Sequence, residues 1–163
     1  MTATAPAIET QRPGTYALIL RARSAAQISV GRWGTLDVMP GYYIYVGSAF
    51  GPGGVSGRIQ RHCRQNKTLR WHIDYLREVT TPVQAWCGYD SRDLEHRWAG
   101  IFTRLSGVIS VSGFGCSDCR CESHLFFIPA VPESPGLMAA AATRPQIWPL
   151  QSVSAPQQRL TIN

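Results

Sequence analysis

Gly41-Tyr42-Tyr43-Ile44-Tyr45-Val46-Gly47-Ser48-Ala49, then Phe50-Gly51-Pro52-Gly53-Gly54, then Val55-Ser56-Gly57-Arg58-Ile59-Gln60-Arg61-His62-Cys63-Arg64, is the stretch around which the chain organises itself. Aromatic and β-branched residues make Tyr42 to Ser48 the clearest strand, launched by the break at Pro40-Gly41. The glycines after it form a tight loop that can bring backbone N–H groups close to a ligand. From Val55 to Gln65 the spacing becomes helical: Val55, Ile59 and Cys63 make an apolar stripe, with Arg58 and His62 one turn apart on its flank. A strand, a glycine turn and a basic helix therefore follow one another.

Upstream, Pro13-Gly14 introduces a run of strand formers over residues 15–23, beginning Thr15-Tyr16. Ala26 to Val30 and Thr35 to Val38 read as a short hairpin around Gly31-Arg32-Trp33-Gly34. Downstream, Leu69 to Glu78 predicts a helix with Leu69, His72, Ile73 and Leu76 on one face, and Pro82 to Cys87 a strand. Arg92 to Leu105 is the best helix, because Leu94, Trp98, Ile101, Phe102 and Leu105 repeat at helical spacing. A glycine, serine and cysteine loop then leads into a last strand from His124 to Ile128. The fold expected is α/β, a small, mainly antiparallel sheet flanked by helices, in one domain over 13–130. Residues 131–163 turn to Pro, Ala, Gln and Ser and read as a mostly disordered tail, in which Ile147-Trp148 could dock.

A chain of 163 residues is large enough for one real core. No apolar run approaches the roughly 18 residues that a membrane span needs, so no membrane partner is expected. Met1 to Arg12 lacks a basic segment followed by an apolar one, the mark of a secretory signal. Five cysteines without that signal fit a reducing cytoplasm better than a disulfide framework. The net charge of +6 matters through its placement. No acidic residue lies between Asp37 and Asp74, while Arg58, Arg61, Arg64, Lys67 and Arg70 recur at every third position. Such a stripe either is a solvated helix face or attracts a polyanion; its position after the tyrosine strands favours DNA, with Arg61, Arg64, Lys67 and Arg70 as backbone contacts.

Phosphodiester hydrolysis needs an aligned water, an acceptor for its proton and positive charge on the phosphoryl oxygens. The long helix offers Asp93 and Glu95. Asp93 points away from the apolar stripe; Glu95 lies at its border, where a carboxylate is either a surface group or one that reaches into a cleft. Tyr16 is likewise either a core residue with a bonded hydroxyl or a group that orients water. His62 could serve as a second base or a phosphate contact. His72 reads as a core or supporting residue, and His96 as an exposed one without a role.

Gly14-Thr15-Tyr16, Tyr45-Val46-Gly47, Arg58 on the following helix and Glu95 on a later one together resemble the GIY-YIG nuclease family. Gly41 to Ala49, Arg70-Trp71-His72-Ile73-Asp74-Tyr75 and Gly113-Phe114-Gly115-Cys116-Ser117-Asp118-Cys119-Arg120-Cys121 also look like one prokaryotic branch of it. The resemblance covers most of residues 14–128. It implies a metal-dependent DNA endonuclease, in a repair or recombination role, with the two tripeptides on adjacent antiparallel strands and residues 24–41 as an inserted hairpin. It gives Tyr16 the water, Tyr45 the phosphate pocket, Arg58 the phosphate, and Glu95 a Mg²⁺ or Mn²⁺ ion. Members often steady the site with an asparagine near the domain end. Here only Asn66 and Asn163 exist, and neither fits, which leaves Ser123 or His124 for that task. A nucleic-acid-binding module without cleavage is the alternative reading.

Cys116, Cys119, Cys121 and His124 could be written as a zinc set, which would make a structural zinc-loop protein. All four lie within nine residues, without the separated pairs that wrap a tetrahedral ion. They are expected to be reduced thiols in a tight loop.

Overall fold

In the computed structural model, which describes residues 11–89, 91–132 and 145–150, the chain forms a six-stranded sheet, a separate hairpin and three helices. The elements run β1 Gly14–Ala22, β2 Ala26–Val30, β3 Gly34–Val38, β4 Gly41–Ala49, α1 Gly54–Cys63, α2 His72–Leu76, β5 Thr81–Gly88, α3 Leu94–Arg104, β6 Ile109–Ser110, β7 Leu125–Ile128 and β8 Gln146–Pro149. Sheet order is β6-β7-β4-β1-β5-β8, and every pairing is antiparallel. The expected α/β architecture is therefore observed, and β2 and β3 form the expected hairpin.

Central β1 pairs with β4 along its whole length and with β5 on the other side. Its near-continuous apolar run follows from burial on both faces, since alternation appears only where one face meets water. Tyr16, Leu18 and Leu20 pack under α1, α2 and the hairpin. Ala17 and Ile19 join Ile44, Val46, Trp86 and Phe126 under Leu94, Trp98 and Phe102 of α3.

Three expectations change. The helix expected over Leu69 to Glu78 is ordered as α2 only from His72 to Leu76. Ser110 and Ile109 add the short β6, pairing with Phe126 and Phe127. Part of the expected tail is structured: β8 pairs with β5, opposing Trp148 to Ala85 and Ile147 to Trp86. Trp148 and Leu150 pack against the core on the α1 side, so sheet edge and apolar contact together hold a segment whose composition argued for disorder. Residues 133–144 and 151–163 of that tail lie outside the described residues, as does Met1 to Thr10.

Candidate active site

Tyr16 on β1 faces Gly47 on β4. A Cβ at Gly47 would stand 2.4 Å from the Tyr16 oxygen, so the ring crosses the neighbouring strand only because that residue is glycine. Tyr45, two residues earlier on β4, shares its face, with ring centroids 6.4 Å apart. The Tyr16 oxygen lies 2.7 Å from Nε2 of His62. His62 is fully buried; the flank expected for it is in fact covered by the sheet, and it stacks edge-on against Tyr45 and Trp71. Burial first, then the charges of Lys67, Arg58 and Arg61, push its pKa down to about 3, so the ring is neutral. No described residue partners its Nδ1. A buried lone pair without a donor costs less than a buried N–H without an acceptor, which puts the proton on Nε2, donated to Tyr16.

Arg58, one helical turn before His62, stacks 4.5 Å over the Trp71 ring and lines the same cleft as Tyr16. Burial raises the Tyr16 hydroxyl well above its ordinary pKa, Tyr45 adds to this, and Arg58 opposes it. Tyr45 is raised too, again by burial first and then by Glu95. Glu95 stands in the first turn of α3 with its carboxylate one-fifth exposed. That helix covers the opposite face of the sheet, yet Glu95 opens onto the same cleft as the tyrosines. The register of β7 with β4 ends at Leu125 and Tyr45, short of Val46 and Gly47.

The cleft has a volume of about 240 Å³, and Tyr16, Tyr45, Arg58, Glu95 and Arg70 all line it. His62 backs it from beneath Tyr16. Lining residues that were not anticipated include Trp71, which props Arg58, and Ser117 and Asp118 from the cysteine loop. His72 also lines the cleft rather than the core. Its Nδ1 accepts the Gly115 N–H at 2.9 Å, tying α2 to that loop. Of the two residues considered for steadying the site, His124 is the one beside Glu95: its Nδ1 is 3.3 Å from Glu95 Oε1 and 3.1 Å from the Val46 carbonyl. Ser123 instead donates to the Val111 and Leu125 carbonyls. Asp93 is exposed and pairs with Arg97, as its place on the helical wheel suggested.

The basic stripe divides. Arg64 and Arg70 are exposed. Arg61, expected on phosphate, is turned to the buried Asp74, with both its terminal nitrogens 2.8 Å from the carboxylate oxygens. It also stacks 4.0 Å over Trp71. Lys67, expected likewise, donates to the Arg61 and His62 carbonyls at 2.9 and 3.2 Å and sits 3.6 Å from Asp74. Both cations are engaged by the fold, because the last carbonyls of α1 and the buried carboxylate need them. The thiols differ as well. The group of potential metal ligands is Cys119, Cys121 and His124 with His96, the histidine expected to be idle; Cys116 lies outside that set.

A small antiparallel α/β domain with a tyrosine, arginine and carboxylate cleft is the class of protein these features define. Residues 15–145 match the family described as domain of unknown function DUF123, and the chain belongs to that family. Neither a curated protein nor a solved structure matches it. Among the described residues, no helix is long and apolar enough to cross a membrane.

Proposed function

We propose that this chain is a metal-dependent endonuclease of the GIY-YIG type, hydrolysing phosphodiester bonds in DNA. The observation that carries the reading is the convergence of Tyr16, Tyr45, Arg58 and Glu95, from β1, β4, α1 and α3, on one cleft. Arg70 at the same cleft, and exposed Arg64, extend it towards a phosphate backbone.

The residues fit a hard divalent cation. Glu95 and Asp118 are the carboxylate residues that line the cleft, and carboxylate oxygens are the donors that Mg²⁺ or Mn²⁺ prefers. Such an ion would neutralise charge developing on the phosphoryl and leaving oxygens. Arg58 binds the phosphate oxygens, held in place by Trp71, and Tyr45 lines the phosphate pocket. Tyr16 orients the attacking water and, as phenolate, takes its proton. The new bond forms between that water oxygen and phosphorus, and the bond to the leaving sugar oxygen breaks, that oxygen taking a proton from solvent. His62 Nε2–H donates to the Tyr16 oxygen and the positive charge of Arg58 stands near it, and both favour its anionic form against the cost of burial. Function in repair or recombination, in a reducing cytoplasm, belongs to the same reading.

The test incubates the purified chain with nicked, branched, single-stranded and duplex DNA, with and without Mg²⁺ or Mn²⁺. Cleavage is expected only with metal, and Glu95→Gln should abolish it while leaving DNA binding intact or tighter, since a repulsive charge is lost. Binding without cleavage on every substrate selects the alternative, a nucleic-acid-binding module. No asparagine lines the cleft among the described residues, which is the observation on that side.

A further inference from the structure

Beside the cleft, the cysteine loop meets the start of α3 in a second constellation. Nδ1 of His96 lies 3.2 Å from Sγ of Cys121, and Nε2 of His124 lies 3.1 Å from Sγ of Cys119. One ligand atom from each of the four residues lies within 4.8 Å of the others. A tetrahedral ion with bonds of about 2.3 Å to sulfur and about 2.0 Å to nitrogen spaces its ligand atoms by roughly 3.3–3.8 Å, so small adjustments of side chains already in place would close the shell. The set is two thiols and two imidazoles, which suits Zn²⁺ rather than Mg²⁺.

The support around the ligands points the same way. His124 is buried, and its Nδ1 faces the Val46 carbonyl and the Glu95 carboxylate, which fixes Nε2 as the lone pair turned towards Cys119. Backbone bonds from Val46 N–H to the His124 carbonyl, from His124 N–H to the Phe114 carbonyl, and from Gly113 N–H to the Glu122 carbonyl hold the loop. Ring packing at 6.1 Å between His96 and His124 brings α3 against it. The cramped spacing that argued against zinc in the sequence disappears, because the fourth ligand is His96, a separate element away.

We propose that His96, Cys119, Cys121 and His124 form a closed, structural zinc site that staples the first turn of α3 to the loop ending in β7. Binding replaces the two thiol protons by bonds from sulfur to zinc, releasing two protons per ion. The ion sits next to Glu95, on His96 and on His124, and so holds that carboxylate at the cleft; only this consequence rests on the nuclease reading.

The full chain, purified under reducing conditions without chelator, should carry one zinc per molecule by elemental analysis. After metal removal, Co²⁺ titration should saturate at one equivalent. It should show the intense visible bands of a tetrahedral ion and thiolate-to-cobalt charge transfer, with two protons released. His96→Ala, on an exposed helix position that does not endanger folding, should weaken Co²⁺ more than about 100-fold, beyond what loss of an outer partner costs. Cys121→Ser should do the same, and Cys116→Ser should leave affinity unchanged. A weak octahedral spectrum, no uptake, or dependence on Cys116 in place of His96 would overturn the site. These readouts do not involve DNA: cobalt failure with cleavage intact sinks the zinc site alone, and a normal cobalt spectrum without any cleavage sinks the nuclease alone.

Discussion

Tyr16 shows how much chemistry one position can carry. Its hydroxyl is buried against a neutral histidine, and burial opposes the charged form that a proton acceptor needs. The free protein therefore holds the phenol at neutral pH, and the phenolate fraction grows with alkalinity. If Tyr16 takes the water's proton, the cleavage rate should climb steadily from pH 7 to pH 9. Tyr16→Phe should lower the rate on the order of 100-fold or more and flatten that rise, with DNA affinity kept. A rate independent of pH in the unmutated enzyme would remove Tyr16 from the proton's path.

His62 makes the second residue-scale prediction, on stability. Its pKa is about 3 in the fold against 6.5 for an ordinary histidine. Between those values the unfolded chain binds a proton that the native state refuses. The stability due to the neutral ring is thus complete above about pH 6.5 and is lost on acidification towards pH 3, at about 1.4 kcal/mol per pH unit. Asp74 adds a later loss. Burial alone would raise it, but Arg61 and the Trp71 and Arg70 N–H groups hold it below the usual carboxylate range, so its contribution fades only under stronger acid. Urea midpoints measured from pH 7 to pH 4 should fall steadily. His62→Gln, which keeps a side chain able to bond Tyr16 but does not titrate, should remove most of that slope. An equal slope in the variant would show that other groups cause it.

At the scale of elements, α1 and the segment after it are a helix end held by cations. Arg77 donates to the His62 carbonyl and Lys67 to those of Arg61 and His62, answering carbonyls left open where α1 stops, while Arg77 also donates to the Thr80 carbonyl just before β5. Asp74 closes the start of α2 by accepting the Trp71 N–H at 3.0 Å. Stripe residues with the same spacing therefore differ in kind. Arg61→Ala strips one partner from a buried carboxylate and should cost about 3 kcal/mol by chemical denaturation. Arg64→Ala and Arg70→Ala should leave stability nearly unchanged, and each should reduce the slope of log affinity against log salt on duplex DNA by about 0.9. A wild-type slope in the Arg64 and Arg70 double variant would take the backbone contact elsewhere.

For the whole molecule, β8 decides how the sheet ends. It covers the edge of β5 and brings Trp148 onto the core, so deleting the chain from Val131 onward opens a sheet edge and exposes apolar surface. The truncated protein should still unfold cooperatively, because β1, β4, β5 and β7 remain, but with stability lower by about 2 kcal/mol, the scale of one large buried side chain. Trp148→Ala in the full chain should reproduce most of that loss. Unchanged melting of the truncated chain would mean that β8 contributes nothing to the fold.

Local pattern by itself determined the strands Tyr42 to Ser48 and Pro82 to Cys87, the helix around Trp98 and Phe102, and the hairpin at Gly31 to Gly34. In each, period and turn residues agree, and neighbours within one segment supply the information. The resemblance to the GIY-YIG family, carried by motifs that are short and ordered along the chain, is what pointed to Tyr16, Tyr45, Arg58 and Glu95. Tertiary structure decided what depends on partners distant in sequence. Arg61 and Lys67 look like Arg64 until Asp74 arrives from α2, and His62 looks like a flank until Tyr16 covers it. Cys116, Cys119, Cys121 and His124 looked too crowded for a metal, whereas the fold groups three of them, without Cys116, with His96 of α3. Ile147 and Trp148 gain order only because β5 leaves an edge to pair with. Periodicity is written between neighbours, whereas the partner of a charge, a ring or a thiol is chosen by the fold.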